Sequence, residues 1–354
     1  MRFVRIPFAL LTALFLASCA APRMPAVDGA EIQIKRSDRS GGAEDLELWW
    51  FGSGCHLLKL GGLTVLTDPF VTNGANLLFP KSDPAKVAAT FGRMSPPDVV
   101  VVNHGHVDHL LDTYPAMTSP GWETVPLWGG RTTCNILAGW KDPDISGRCH
   151  EIPADGGRIY QKQTSDGSIG ITAYRTKHGP HLDCGFVAFS GNVDQPRHSP
   201  PAWQGDYKSG ETYNFLITLK RGGTTYRVFY LAGIAGLDEM PGCLPPAGTP
   251  IDVAILCTPG HEFVDDYPAA HLKRLRPRHI VLGHFNNFLK NATDEQTSYA
   301  GIDFAKTDDM SREVQRFFTT NAAAYPEFEA MHIPSVTVMD GKDRARNVVR
   351  IGKP

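Results

Sequence analysis

No Cys-x-x-Cys pair occurs anywhere in the 354 residues, so a thiolate zinc site is not what organises this chain, although seven cysteines are present. Positive charge is not in excess either. The 35 lysines and arginines stand against 37 aspartates and glutamates, which leaves no electrostatic case for binding nucleic acid. No short repeat is visible. Long apolar runs are scarce as well: one lies at the start, and no later segment is long and apolar enough to cross a bilayer.

That first run belongs to a leader. Arg2 and Arg5 precede the apolar stretch Ile6–Ala17, and Leu16-Ala17-Ser18-Cys19 follows the pattern of small residues before a processing point. The ending resembles the bacterial lipobox, in which the cysteine becomes the lipidated first residue. The resemblance implies a signal peptide over 1–18 and a lipid anchor on Cys19. With Ala20 next, it also implies the periplasmic face of the outer membrane. Removing 1–18 takes away two positive charges and no acid, so the formal charge moves from −2 to −4. Residues 19–45 are rich in Pro, Gly, Ser and charge without periodicity, which suits a tether. A single domain over 46–354 follows.

From Leu46 onward, short apolar runs alternate with turns. Strands are expected at 47–51, 56–60 and 63–67, then a helix over 84–93 with Asp83 as N-cap and Pro84 at its first position. Further strands are expected at 99–102, 124–128, 169–176, 185–190, 213–219, 225–231, 252–257, 279–283, 335–339 and 347–351, with helices at 132–139 and 267–275. Met310, Val314, Phe317 and Phe318 form the stripe of a last helix packed on a sheet. Residues 191–211, with Trp203 and Tyr207, read as a surface excursion near the site. The loop with Phe70, Leu77, Leu78 and Phe79 has the composition of an apolar entrance or of core packing. Six cysteines besides Cys19 can pair in fifteen ways. Cys134 with Cys149 is the preferred pair, because they flank a short Gly-, Asp- and Pro-rich connection. Cys257 ends an apolar strand and fits a buried thiol.

The densest chemistry is Asn103-His104-Gly105-His106-Val107-Asp108-His109-Leu110, directly after the run Val99–Val102. Three imidazoles and a carboxylate within six residues repel one another when protonated and gain little from burial when neutral, unless a cation collects them. Residues 104 and 106 share one face of an extended segment, while 108 and 109 begin the next turn, so one loop can serve two adjacent ions. This His-x-His-x-Asp-His pattern resembles the signature of the metallo-β-lactamase-fold hydrolases. Trp50-Phe51-Gly52, Leu57-Leu58-Lys59-Leu60 and Leu66-Thr67-Asp68-Pro69 are similar to the branch holding ascorbate-6-phosphate lactonase-like and N-acyl-phosphatidylethanolamine phospholipase D-like enzymes. The resemblance spans about 46–352 and implies an α/β fold, an αββα sandwich of two mixed sheets with helices outside.

By position, the resemblance makes His178, after the strand 171–176, the third histidine ligand and His284, after 280–282, the last. His181 competes with His178 and fits better as a neighbour of the ligands or a surface residue. The metal set implied is His104, His106, Asp108, His109, His178 and His284. Asp68 is expected to hold a ligand imidazole from behind. His261 ends another strand and faces either substrate or plain structure. Ser53 stands where relatives often carry a histidine.

The main departure is Ala232-Gly233-Ile234-Ala235-Gly236: where relatives read Gly-Asp-Thr-Gly, with the aspartate bridging two metals, this chain has Ile234. Asp238, four residues on, starts from a different backbone position and is a poor replacement. A complete three-histidine site remains, able to hold zinc, or else iron or manganese, with an open position for water. Such a site activates hydroxide for attack on a carbonyl or phosphoryl centre, with Asp108 orienting it. The expected function is a metal-dependent hydrolase acting on an ester, phosphodiester or lactone, from a small-molecule or lipid-derived substrate of the envelope. The alternative is a metal- or ligand-binding lipoprotein that lost catalysis with the bridge. An iron oxygenase of the same fold ranks last.

Overall fold

The computed structural model describes residues 44–72, 76, 78–153, 160–181, 185–286, 307–332 and 348–352. All of them lie in one compact unit that begins at residue 34. The leader, Cys19, Leu77, Cys184 and the expected strand at 335–339 lie outside the described residues.

Alternation sets the first strand. In β1 (Leu46–Gly52) Leu46, Leu48 and Trp50 turn inward while Glu47 and Trp49 are half-buried. The meander continues through β2 (Cys55–Leu60) and β3 (Leu63–Thr67). The chain then crosses through α1 (Pro84–Thr90), whose Asp83 accepts from the N–H groups of Ala85 and Lys86. A tighter turn at 91–93 replaces the end of the expected helix. After β4 (Val99–Val101) come two short helices, α2 (Val107–Leu110) and α3 (Thr113–Met117). β5 (Leu127–Gly130) starts three residues later than expected, because Val125 closes a turn onto Trp122 and Pro126 offers no N–H. Next are α4 (Arg131–Leu137), β6 (Cys149–Ile152), β7 (Tyr160–Gln163) and β8 (Ile169–Thr176). β6 and β7 were not expected: His150-Glu151 and Gln161-Lys162-Gln163 are exposed and carry no hydrophobic alternation.

Residues 185–190 do not form the expected strand. Gly185 and Phe189 both take positive φ, and the segment folds back so that the His181 N–H donates to the Phe186 carbonyl. The hairpin β9 (Thr212–Arg221) and β10 (Thr224–Tyr230) follows, then β11 (Val253–Cys257), α5 (Ala269–Leu275), β12 (His279–Gly283), α6 (Thr307–Asn321), β13 (Ala330–His332) and β14 (Val348–Ile351).

Among the described residues two seven-stranded sheets result, ordered β14-β1-β2-β3-β4-β5-β6 and β13-β12-β11-β10-β9-β8-β7. Each is mixed, antiparallel on one side and parallel on the other. Leu46, Leu58, Val65 and Val101 of the first sheet pack on Ile171, Phe215, Val228 and Ile255 of the second. Outside the first sheet, Val87, Leu110 and Ile136 cover Leu66, Val100 and Leu127. Outside the second, Leu272, Met310, Val314 and Phe317 cover Phe229, Leu256 and Leu282. These are the four layers of an αββα sandwich. Cys134 and Cys149 are disulfide-bonded, tying α4 to β6, while Cys55, Cys243 and Cys257 are buried free thiols.

Candidate metal centre

The site residues come from strand C-terminal ends, where parallel stretches of a sheet splay apart and leave backbone groups free. His104, His106, Asp108 and His109 follow β4, Asp68 follows β3, His178 follows β8 and His284 follows β12. Gly105 is required inside the motif: its N–H donates to Ser209 (2.9 Å), and a Cβ there would strike the Lys208 carbonyl. Asp68 and His284 both hold positive φ, the strained backbone typical of side chains aimed into a functional cluster.

Two three-residue sets converge. In the first, His104 Nε2 and His178 Nε2 each lie 3.1 Å from His106 Nδ1. The partners of the outer nitrogens fix the tautomers: His178 Nδ1 donates to the Gly179 carbonyl (2.6 Å), and His104 Nδ1 faces the side-chain oxygen of Asn103. Both Nε2 atoms therefore aim lone pairs at His106 Nδ1, which can offer a proton to one of them at most. Such a cluster fits a cation better than it fits itself. Burial keeps all three neutral, pushing His106 down to about 3 against the pull of Asp108. His104 and His178 also fall well below the usual imidazole range, helped by neighbouring rings.

The second set is Asp108, His109 and His284. His284 Nε2 lies 2.7 Å from Asp108 Oδ2 and 3.1 Å from His109 Nε2. Burial pushes Asp108 up, but His109 and His284 outweigh it and hold the carboxyl well below the carboxylate range. Burial likewise opposes charge on His109, and Asp108 and Asp68 outweigh it upward. This set contains a carboxylate, where the first has imidazoles alone. The sets adjoin, with the rings of His104 and His109 4.1 Å apart.

Asp68 stands behind the second set. Its Oδ2 meets His109 Nδ1 at 2.7 Å and accepts the hydroxyl of Tyr230, and its Oδ1 accepts the Asn103 N–H at 2.6 Å. The His109 proton thus sits on Nδ1, and Nε2 is left for a cation. His181 stacks on His178 at 4.8 Å and accepts the Ala188 N–H, outside both sets. His261 is buried, with Nδ1 3.0 Å from the Thr258 carbonyl, and joins neither set. Ser53 is buried in the turn between β1 and β2, and its N–H donates to the Asn286 side chain.

Ile234 packs on Gly179 and belongs to the apolar layer beneath α5 and α6; Asp238 is exposed. Among the described residues, Asp108 is the one carboxylate in either set. Sequence reasoning missed Tyr230 and Asn103. Asn103 opens the histidine stretch, and Tyr230 occupies an inward position at the C-terminal end of β10, so strand-end placement was the signal available for both.

The chain is similar to several known proteins. A family model described as "Beta-lactamase superfamily domain" matches residues 47–282. The chain is 32% identical over 285 residues to a UPF0173 metal-dependent hydrolase of Polynucleobacter asymbioticus, covering 79% of this chain and 84% of that one. A UPF0173 metal-dependent hydrolase of Anaeromyxobacter sp. (strain K) is 26% identical over 244 residues, 68% of this chain and 75% of the relative. Among solved structures, Igni18, a metallo hydrolase from Ignicoccus hospitalis, shares 16% identity at a TM-score of 0.47, over 88% of this chain and all (100%) of that one. CmlA, a diiron β-hydroxylase from Streptomyces venezuelae, shares 14% at a TM-score of 0.44, over 87% of this chain and 54% of its own.

Proposed function

The chain belongs to the beta-lactamase superfamily, among its metal-dependent hydrolases, and from that premise we propose that it cleaves an ester, phosphodiester or lactone bond of a small-molecule or lipid-derived substrate in the bacterial envelope. The observation that carries this reading is the convergence of imidazole lone pairs at His104, His106 and His178 beside the anionic set of Asp108, His109 and His284. Zinc is the ion assigned, since imidazole-rich sets favour it, with iron and manganese as the competitors. A divalent ion held there supplies Lewis acidity and brings the pKa of coordinated water toward about 7.

The chain's own residues do the rest. Asp108, kept ionised by His109 and His284, accepts a hydrogen bond from the attacking water and orients it toward the scissile bond. Asp68 keeps the His109 proton on Nδ1, and Asn103 does the same for His104. His181, beside His178 and outside both sets, is assigned to touch bound substrate. The envelope location and the lipid on Cys19 both rest on the Leu16-Ala17-Ser18-Cys19 sequence.

Ile234 favours a second reading. With an apolar side chain where relatives carry the bridging aspartate, the second ion loses one anionic ligand, and a chain that binds metal without turnover becomes the competitor. Elemental analysis of protein purified without chelators, followed by assays on phosphodiesters, phospholipids and lactones, separates the two. Asp108→Ala is expected to keep its circular dichroism spectrum and lose turnover by roughly 10²- to 10⁴-fold. Undiminished activity in that variant would sink the role given to Asp108.

A further inference from the structure

Among the described residues, the large apolar side chains left exposed are Leu78 (38%), Phe79 (59%), Phe186 (40%) and Trp203 (40%). Scattered singly, such residues need no explanation. These four lie on three segments that are tied to one another and to the metal centre. The Gln204 N–H donates to the Leu78 carbonyl at 2.9 Å, which joins 78–79 to 203–204. Trp203 meets Phe189 edge-on, with ring centroids 6.4 Å apart. The Phe189 carbonyl accepts from Ser209, whose own carbonyl accepts from Gly105 between the two motif histidines. The Phe186 carbonyl accepts from His181, which stacks on His178. The segments carrying the exposed side chains are therefore linked, through backbone hydrogen bonds and ring contacts, to Gly105 and His181 beside the first histidine set.

We propose that this rim seats on a lipid surface, so that the centre faces the headgroup layer and takes an amphiphilic substrate directly from the bilayer; the inference rests on the hydrolase reading above. Three aromatic side chains and a leucine suit the interfacial zone, where apolar side chains sink a few ångströms and an indole keeps its N–H in the wet layer. The rest of the chain supplies the occupant. Cys19, the expected lipidated residue, and Glu44, the first described one, are 25 positions apart. A chain of that length spans at most roughly 90 Å. A domain so tethered always has bilayer within reach, and a high local concentration turns a small apolar patch into a standing contact. The formal charge of the processed chain is negative, so the contact is apolar and not a headgroup attraction.

The test uses the full lipidated chain in vesicles of phosphatidylethanolamine and phosphatidylglycerol. Trp203 emission is isolated as the difference between the native protein and Trp203→Phe. Brominated acyl chains are expected to quench that emission, with no change at high salt, and the quenching is expected to be lost in a Leu78→Asp, Phe79→Asp double variant. Equal Trp203 emission in brominated and plain vesicles overturns the proposal, as does quenching that survives in the double variant, since the anchor alone would then explain it. Cross-linked dimers in lipid-free detergent that vanish in the double variant would assign the rim to a second copy of the chain, and also overturn it. Metal content of the same preparations reports on the hydrolase reading separately: a chain that takes up no ion yet shows the quenching fails as a hydrolase and not at the rim.

Discussion

Asp68 accepts from three groups at once: His109 Nδ1, the Asn103 N–H and the Tyr230 hydroxyl. These partners come from both sheets, so one carboxylate locks the β4 loop, the end of β10 and the His109 imidazole into one geometry. Asp68→Asn keeps the shape and removes the charge that holds the His109 proton on Nδ1. Stepwise metal titration is expected to show the second ion bound 10- to 100-fold more weakly, in line with the usual cost of losing such a partner, with the first ion unaffected. Equal loss at both positions would mean that Asp68 supports the whole loop and not His109 in particular. At this scale the sequence was informative where neighbours in space are also neighbours in the chain. The set His104, His106, Asp108, His109 declares itself within six residues. The hydroxyl of Tyr230 does not, because it reaches Asp68 from 162 positions away.

The segment following β3 shows how an element without regular structure is held. Asp112, just before α3, accepts the N–H groups of Val71 and Thr72 at 2.7 Å each, the Thr72 hydroxyl at 2.8 Å and the Ser82 hydroxyl at 2.5 Å. Burial pushes its carboxyl up while those donors pull it down, and the net shift is upward. Asp112→Ala strands two buried N–H groups and is expected to lower unfolding free energy by about 3 kcal/mol, measurable by urea titration. A change within about 0.5 kcal/mol, the usual range for surface substitutions, would show that water replaces the carboxylate without cost. The strands at 46–52, 55–60 and 63–67 were legible because their apolar residues recur with period two. The segment at 185–190 was not. Its hydrophobic residues suggest a strand, but positive φ at Gly185 and Phe189 bends it back toward His181, a choice made by tertiary contacts and not by composition.

Among the described residues, His271 and His332, outside both histidine sets, are buried as neutral groups. Burial lowers His271 to about 4, and burial together with His279 lowers His332 to about 4. Unfolded, both take up a proton near 6.5; folded, only near 4. Across that window the unfolded chain binds more protons, so stability is full above about 6.5 and falls as pH drops toward 4, by on the order of 3 kcal/mol for each residue. Denaturant midpoints measured from pH 7 to 4 are expected to fall, and His332→Gln is expected to flatten part of the slope. A midpoint that stays level across the range would contradict the neutral burial of these rings. The αββα plan was legible from alternating strand and helix patterns and from the resemblance carried by the histidine motif. The edges were not: β6 and β7 are polar, and each is held by one neighbouring strand, β5 or β8, and not by a hydrophobic alternation of its own.

The two ligand sets draw on chain positions from 104 to 284 and on loops of both sheets. Neither set is complete until long-range strand pairing brings His178 and His284 to the 104–109 loop, so an ion would meet its full set of groups only in the finished chain. Its contribution therefore acts on the rate of unfolding and hardly on the rate of folding. For this architecture an ion held by these residues would be a latch applied to a finished structure: it would lengthen the lifetime of the native state without helping the chain to reach it.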